Sequence, residues 1–145
     1  MKIPPKRVLY MTILCLVAMF FAIAGALIAA EMPTVEPPVI VTTCGQSPGA
    51  VMVKMSLMQS QITPVESNNT MTTSDLAGKG YKTLIVTTGT SGKGMGAAGT
   101  DVNKEIARCK ELIEAAKAEG MVVITAHVEG MARRTDSADQ ASIDE

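Results

Sequence analysis

The sequence predicts a small doubly wound α/β domain with a parallel sheet, of the three-layer Rossmann or flavodoxin-like kind. Residues 39–44 (VIVTTC), 82–88 (KTLIVTT) and 121–127 (MVVITAH) are short, β-branched and continuous rather than alternating, as strands covered on both faces are. Helix-compatible segments separate them. Strand, helix, strand, helix, strand in that order is the pattern of βαβ units, whose crossovers are right-handed.

Ahead of this pattern lies a segment of another kind. Lys2, Lys6 and Arg7 form a basic head, and residues 8–30 carry no charge at all. Twenty-three such residues, at about 1.5 Å each in a helix, can cross a hydrocarbon core roughly 30 Å thick. The basic head keeps to the cytoplasm, so the rest of the chain is expected outside it. Ala29-Ala30 before Glu31 suits a cleaved signal, while the length of the run and Ile28 suit an uncleaved anchor. Both alternatives place residues 31–145 in an extracytoplasmic compartment, secreted or held on the cytoplasmic membrane through residues 8–30. Cys15 lacks the small residues before it that lipid attachment requires.

Without that segment the chain keeps ten Lys and Arg against all fourteen Asp and Glu. Such an acidic domain has no bulk attraction for nucleic acid or anionic lipid. Tyr81 is its one aromatic residue, so stacking platforms for bases are not expected. Cys44 and Cys109 alone do not make the framework of a small disulfide-rich fold.

The elements follow in order. Residues 31–38 form a Pro-rich linker, and the α/β domain runs over 39–145. After the first strand, Ser47 suits an N-cap and Pro48 a first helical position. The helix is expected to reach Gln59, with Val51, Met55 and Met58 on one face. Residues 62–65 read as a short edge strand, since Pro64 argues against a central one. Residues 73–77 read as one helical turn ended by Gly78. The segment 89–100 (GTSGKGMGAAGT) reads as a long glycine loop, and Thr100 or Asp101 caps the next helix. That helix runs to Glu119 with Val102, Ile106, Cys109, Ile113 and Ala116 inward, and Glu105, Arg108, Glu111, Glu114 and Lys117 outward. Gly120 ends it. Residues 137–145 are polar but helix-compatible. Three or four strands make a thin sheet for this class, so the domain reads as incomplete at its C-terminus, or as having a last edge covered by a partner.

Several of these residues occur together in a recognisable combination: Thr42, Gly45, Gln46 and Ser47; Ser91, Lys93, Gly94, Gly96, Ala97, Ala98 and Gly99; Glu105, Ile106 and Arg108; His127, Gly130, Arg133 and Arg134. Over residues 39–136 the chain resembles a family of bacterial exported α/β domains of unknown function. The resemblance implies export and fold, and supplies no activity. It also implies at least one further strand and helix beyond this region.

Gly94-Met-Gly-Ala-Ala-Gly99 matches G-x-G-x-x-G, but a dinucleotide site opens its helix inside the motif, directly off the strand. Here the helix is expected only after the last glycine, so no nucleotide cofactor follows. The phosphate-loop pattern fails at Thr87 and Gly94. In a doubly wound sheet the ligand crevice lies beyond the carboxyl ends of the strands. Gln46 and Ser47, the loop residues Ser91, Gly92, Lys93, Gly94, Gly96 and Gly99, and then His127, Arg133 and Arg134 all gather on that edge. Backbone N–H groups, Lys93 and the paired arginines suit a small carboxylate or phosphate. The plainer alternative makes the glycines a flexible lid and the cations solvated.

An extracytoplasmic hydrolase could use Cys44 or Ser47 with His127, and Glu129 stands near in sequence. Against it, cysteine is among the most buried residue types, and Pro48 breaks the G-x-S-x-G elbow. No metal is expected, because one histidine and two scattered cysteines lack ligand spacing. A third alternative is a structural module that pairs with another chain through its open sheet edge.

Overall fold

The computed structural model describes residues 33–130 and 137–144, together with Tyr10. Apart from Tyr10, residues 8–30 lie outside the described residues, as do Arg133 and Arg134. Four strands form one sheet: β1 (Val39–Cys44), β2 (Val65–Ser67), β3 (Thr83–Thr88) and β4 (Val122–His127). Their order is β2-β1-β3-β4 and every pairing is parallel. The architecture is α/β and Rossmann-like, with the strand order of the flavodoxin arrangement.

The helices are α1 (Gly49–Gln59), α2 (Gly92–Ala98), α3 (Val102–Ala118) and α4 (Ser137–Ile143), with a 3₁₀ turn at Thr73–Asp75. Alternate strand residues point to opposite faces, and two separate cores result. Ile40, Cys44, Leu84 and Val86 meet Cys109, Leu112 and Ala116 of α3, together with Met71 and Leu76. On the other face Val39, Val41, Val65 and Ile85 meet Ala50, Val53 and Leu57 of α1. Val35, just before the first strand, packs on this second core.

Four expectations change. The edge strand forms at Val65–Ser67, starting three residues later than the 62–65 reading, with Val65 packed inward. Ser47 is not the N-cap of α1; Pro48 holds that position and makes no side-chain capping bond. The inward face of α1 is Ala50, Val53 and Leu57, whereas Val51, Met52, Met55 and Met58 stand 48–57% exposed. Within the expected glycine loop, residues 92–98 form helix α2. Ser91 caps it by accepting from the Gly94 N–H at 3.1 Å, and left-handed Gly99 closes it.

Candidate functional site

The strand order reverses between β1 and β3, so the crevice of this fold lies where the segments leaving those two strands meet. Gly45-Gln46-Ser47 leaves β1 and Gly89-Thr90-Ser91 leaves β3. An isolated antiparallel bridge joins Gln46 to Thr90, and the Ser91 N–H donates to the Gly45 carbonyl at 2.8 Å. The packing demands glycine at two points. Gly45 has φ +108, and a Cβ there would stand 2.6 Å from the Gly89 carbonyl oxygen. At Gly94 a Cβ would reach the Gln46 carbonyl oxygen at 2.3 Å, so α2 rests directly on the first turn. The glycine segment therefore serves close backbone approach.

Two carboxylates of the chain itself occupy the donors of this edge. Glu105, expected to face outward, is buried at 3% exposure. It accepts from the Gly45 N–H at 3.2 Å, from Gln46 Nε2 at 3.0 Å and from Arg108 at 2.7 Å. Arg108, also expected outside, donates further to the carbonyls of Thr43 and Met71. Burial alone would raise the Glu105 pKa, yet Arg108, Gln46 and the Gly45 N–H outweigh it and hold it below its ordinary value. The inward face of α3 is thus Glu105, Cys109, Leu112 and Ala116, with Ile106 and Ile113 half-buried beside it.

Asp139 is the second carboxylate. It comes from α4, the polar C-terminal segment, and is itself buried. It accepts from both the backbone N–H and the hydroxyl of Thr90. One turn later Ser142 accepts from the Gly89 N–H at 3.2 Å and donates to the Asp139 carbonyl at 2.7 Å. Sequence reading missed Glu105, Arg108, Asp139 and Ser142 as residues of this edge. The available signal was a polar helix whose acid and hydroxyl recur three residues apart.

The expected site residues are distributed around this network. Gln46 lies inside it, held left-handed at φ +59. Ser47 is buried, sharing a 3.1 Å hydrogen bond with the Thr43 hydroxyl. Ser91 caps α2, while Gly92, Lys93, Gly96 and Gly99 are exposed on it and Gly94 is pressed against Gln46. His127 ends β4 with Nδ1 3.2 Å from the Thr88 carbonyl and Nε2 3.1 Å from the Gly130 carbonyl. Cys44, Thr88 and His127 are in register on three neighbouring strands, so Cys44 and His127 stand two strand spacings apart, about 10 Å. The Glu129 carboxylate lies against Gly89, close to Ser47. The hydroxyl beside His127 is that of Thr88, 3.3 Å from Nδ1, rather than Ser47 or the Cys44 thiol.

Cys44 and Cys109 are both buried in the α3-side core. The neighbouring Cys109, then burial, pushes the Cys44 thiol well above its ordinary range. They also wall a cavity of about 320 Å³ between β1, β3, α3 and α4. Among the described residues no group of three or more His, Cys, Asp or Glu could hold a metal ion, and no helix is long and apolar enough to cross a membrane.

Fold and edge together define a Rossmann-like α/β domain whose strand-end crevice is filled by its own carboxylates. Residues 36–145 match the family described as domain of unknown function (DUF6305), and the chain belongs to it. No curated protein and no solved structure matches the chain.

Proposed function

We propose that this is an extracytoplasmic docking module, carried out of the cytoplasm by residues 8–30, whose contact surface for another polypeptide is the outer face of α1. The exposed apolar stripe of that helix carries the reading. At roughly 100° per residue, Val51, Met52, Met55 and Met58 cover an arc of about 120° opposite the buried Ala50 and the half-buried Val53 and Leu57. Only Lys54, Ser56 and Gln59 interrupt the apolar character of the helix. A helix apolar on two opposed faces is an inner layer, and the domain covers one face of it. Methionine supplies an adaptable, polarizable surface suited to a protein partner. A lipid-facing helix would carry aromatic or leucine anchors and a basic opposite face; α1 has neither. Tethering through residues 8–30 would raise the effective concentration of a weak contact.

The test compares the full chain with Met52→Lys/Met55→Lys and with Glu111→Lys on the outer face of α3, each isolated from its host membrane in mild detergent. The methionine variant is expected to fold normally and to migrate as a smaller complex. An unchanged size for that variant overturns the docking reading.

One observation favours a second reading, in which the crevice binds a small anion. Its backbone N–H groups at Gly45 and Thr90 donate to carboxylates, namely Glu105 and Asp139, and exposed Lys93 lies on α2 beside them. A free carboxylate or phosphate would have to displace Asp139. In this reading Asp139→Ala makes the Thr90 amide resonance move on titration with acetate or phosphate. A Thr90 resonance that stays still in both proteins sinks it.

A further inference from the structure

We propose that Cys44 and Cys109 are a modification site: they join as an intramolecular disulfide that pins the end of β1 to α3. The pairing stands on where the fold puts them. Cys44 is the last residue of β1 and points, like Ile40 and Thr42, toward α3. Cys109 lies on the inward stripe of α3, one turn after Glu105, and its Sγ stands 3.7 Å from the carbonyl of Thr43, the residue before Cys44. Both side chains are buried in one core cluster and wall the same cavity. They are the only cysteines after the apolar N-terminal run, so within the domain each has one possible partner.

The chemistry is thiol–disulfide exchange. A Cys thiolate attacks a small or protein disulfide, forms a mixed disulfide and releases one thiol; the second Cys displaces the other thiol and closes the Cys44–Cys109 bond. Two protons and two electrons leave the pair, and the oxidant is reduced to two thiols. Both thiols are buried, at 3% and 4% exposure, so exchange is slow once the core has closed; the bond forms as the chain folds and is then protected by burial. The product fixes the segment that presents Gly45 and Gln46 to the helix that presents Glu105 and Arg108. In the cell, its formation rests on the proposed export, since disulfides persist in oxidising compartments.

The experiment uses the full chain in detergent, refolded with oxidised and reduced glutathione, alkylated under denaturing conditions and mapped by peptide mass. Expected are a linked Cys44–Cys109 peptide lighter by two hydrogens than the dithiol, Cys15 alkylated, and a thermal midpoint on the order of 10 °C above that of the reduced chain. Cys44→Ser/Cys109→Ser should lose this redox-dependent shift. Should that variant fail to fold, the peptide map of the unaltered chain decides alone. Glutathione adducts on either residue, or both thiols alkylated after oxidation, overturn the proposal. Alkylation inside the host then separates the two readings. A bond made in vitro but thiols found free in the host would refute export and leave the pairing standing.

Discussion

Helices α1 and α3 cover opposite faces of one sheet, yet they finish at their outer surfaces in opposite ways. The outer face of α3 carries Lys104, Glu111, Glu114 and Lys117, while its inner face buries a carboxylate and part of a guanidinium beside Cys109, Leu112 and Ala116. The inner face of α1 is wholly apolar, and its outer face is apolar too. Charge is buried where one helix meets the strand ends, and methionine is exposed where the other faces away from the sheet. The lesson lies in partners. Glu105 and Arg108 find their partners within the domain, whereas about half of each apolar side chain on the outer stripe of α1 stays exposed, which is why the proposed contact surface is placed on α1.

Breaking the first half of that contrast should have the largest effect. Glu105→Ala leaves Arg108 buried without its carboxylate and frees the Gly45 N–H, so a loss of about 3–5 kcal/mol is expected in urea unfolding. A loss under about 1 kcal/mol, the size of a surface pair, would show that the network is solvated.

Glycine substitutions within α2 sharpen it next. Gly94→Ala drives a methyl into the Gln46 carbonyl and should cost about 1–3 kcal/mol. Gly92→Ala, two residues away in the same helix, meets nothing within 4 Å and should gain roughly 0.5–1 kcal/mol from helix propensity. Equal effects from the two would show that α2 does not rest on the first turn.

Acidification probes the same edge through charge. The Glu105 pKa is depressed in the folded state, so its contribution is present above the unfolded value near 4.5 and lost as pH falls through the folded value. Stability should decline below about pH 4.5, and Glu105→Gln should flatten that decline. A decline equally steep in the variant would assign it to other carboxylates.

The smallest expected effect lies on the other helix. Met52→Lys/Met55→Lys should change monomer stability by no more than about 0.5 kcal/mol per site, since both side chains stand about half exposed and belong to neither core cluster. A larger loss would mean that the stripe serves the fold.

The sequence made some of this legible. Continuous β-branched runs placed β1, β3 and β4, and Asp101 marked the start of α3, where it accepts from the Lys104 N–H at 3.0 Å. Four glycines in residues 89–96 hid α2, because low helix propensity outweighed a cap at Ser91 and a terminator at Gly99 that stand in plain view. The stripe of α3 was read one position off: Ile106 and Ile113 drew the eye, yet Leu112 and Glu105 fill the inner face. Glu105 and Arg108, three apart, look like an ordinary surface pair, and only the tertiary fold shows the carbonyls and N–H groups they satisfy. Asp139 and Ser142 escaped for the same reason, since a polar helix gives no apolar stripe to read. On α1, an apolar pattern names a helix but does not say which of two apolar faces the sheet will take.

The most direct measurement places a photo-activated cross-linking amino acid at Met55 in the full chain expressed in its host, with a control at Glu111. A polypeptide adduct at position 55 and none at 111 is the expected result, and an adduct of twice the chain mass would name a second copy as the partner. Lipid adducts alone at 55, or equal labelling at both positions, would contradict the assignment of α1 as a protein-docking surface.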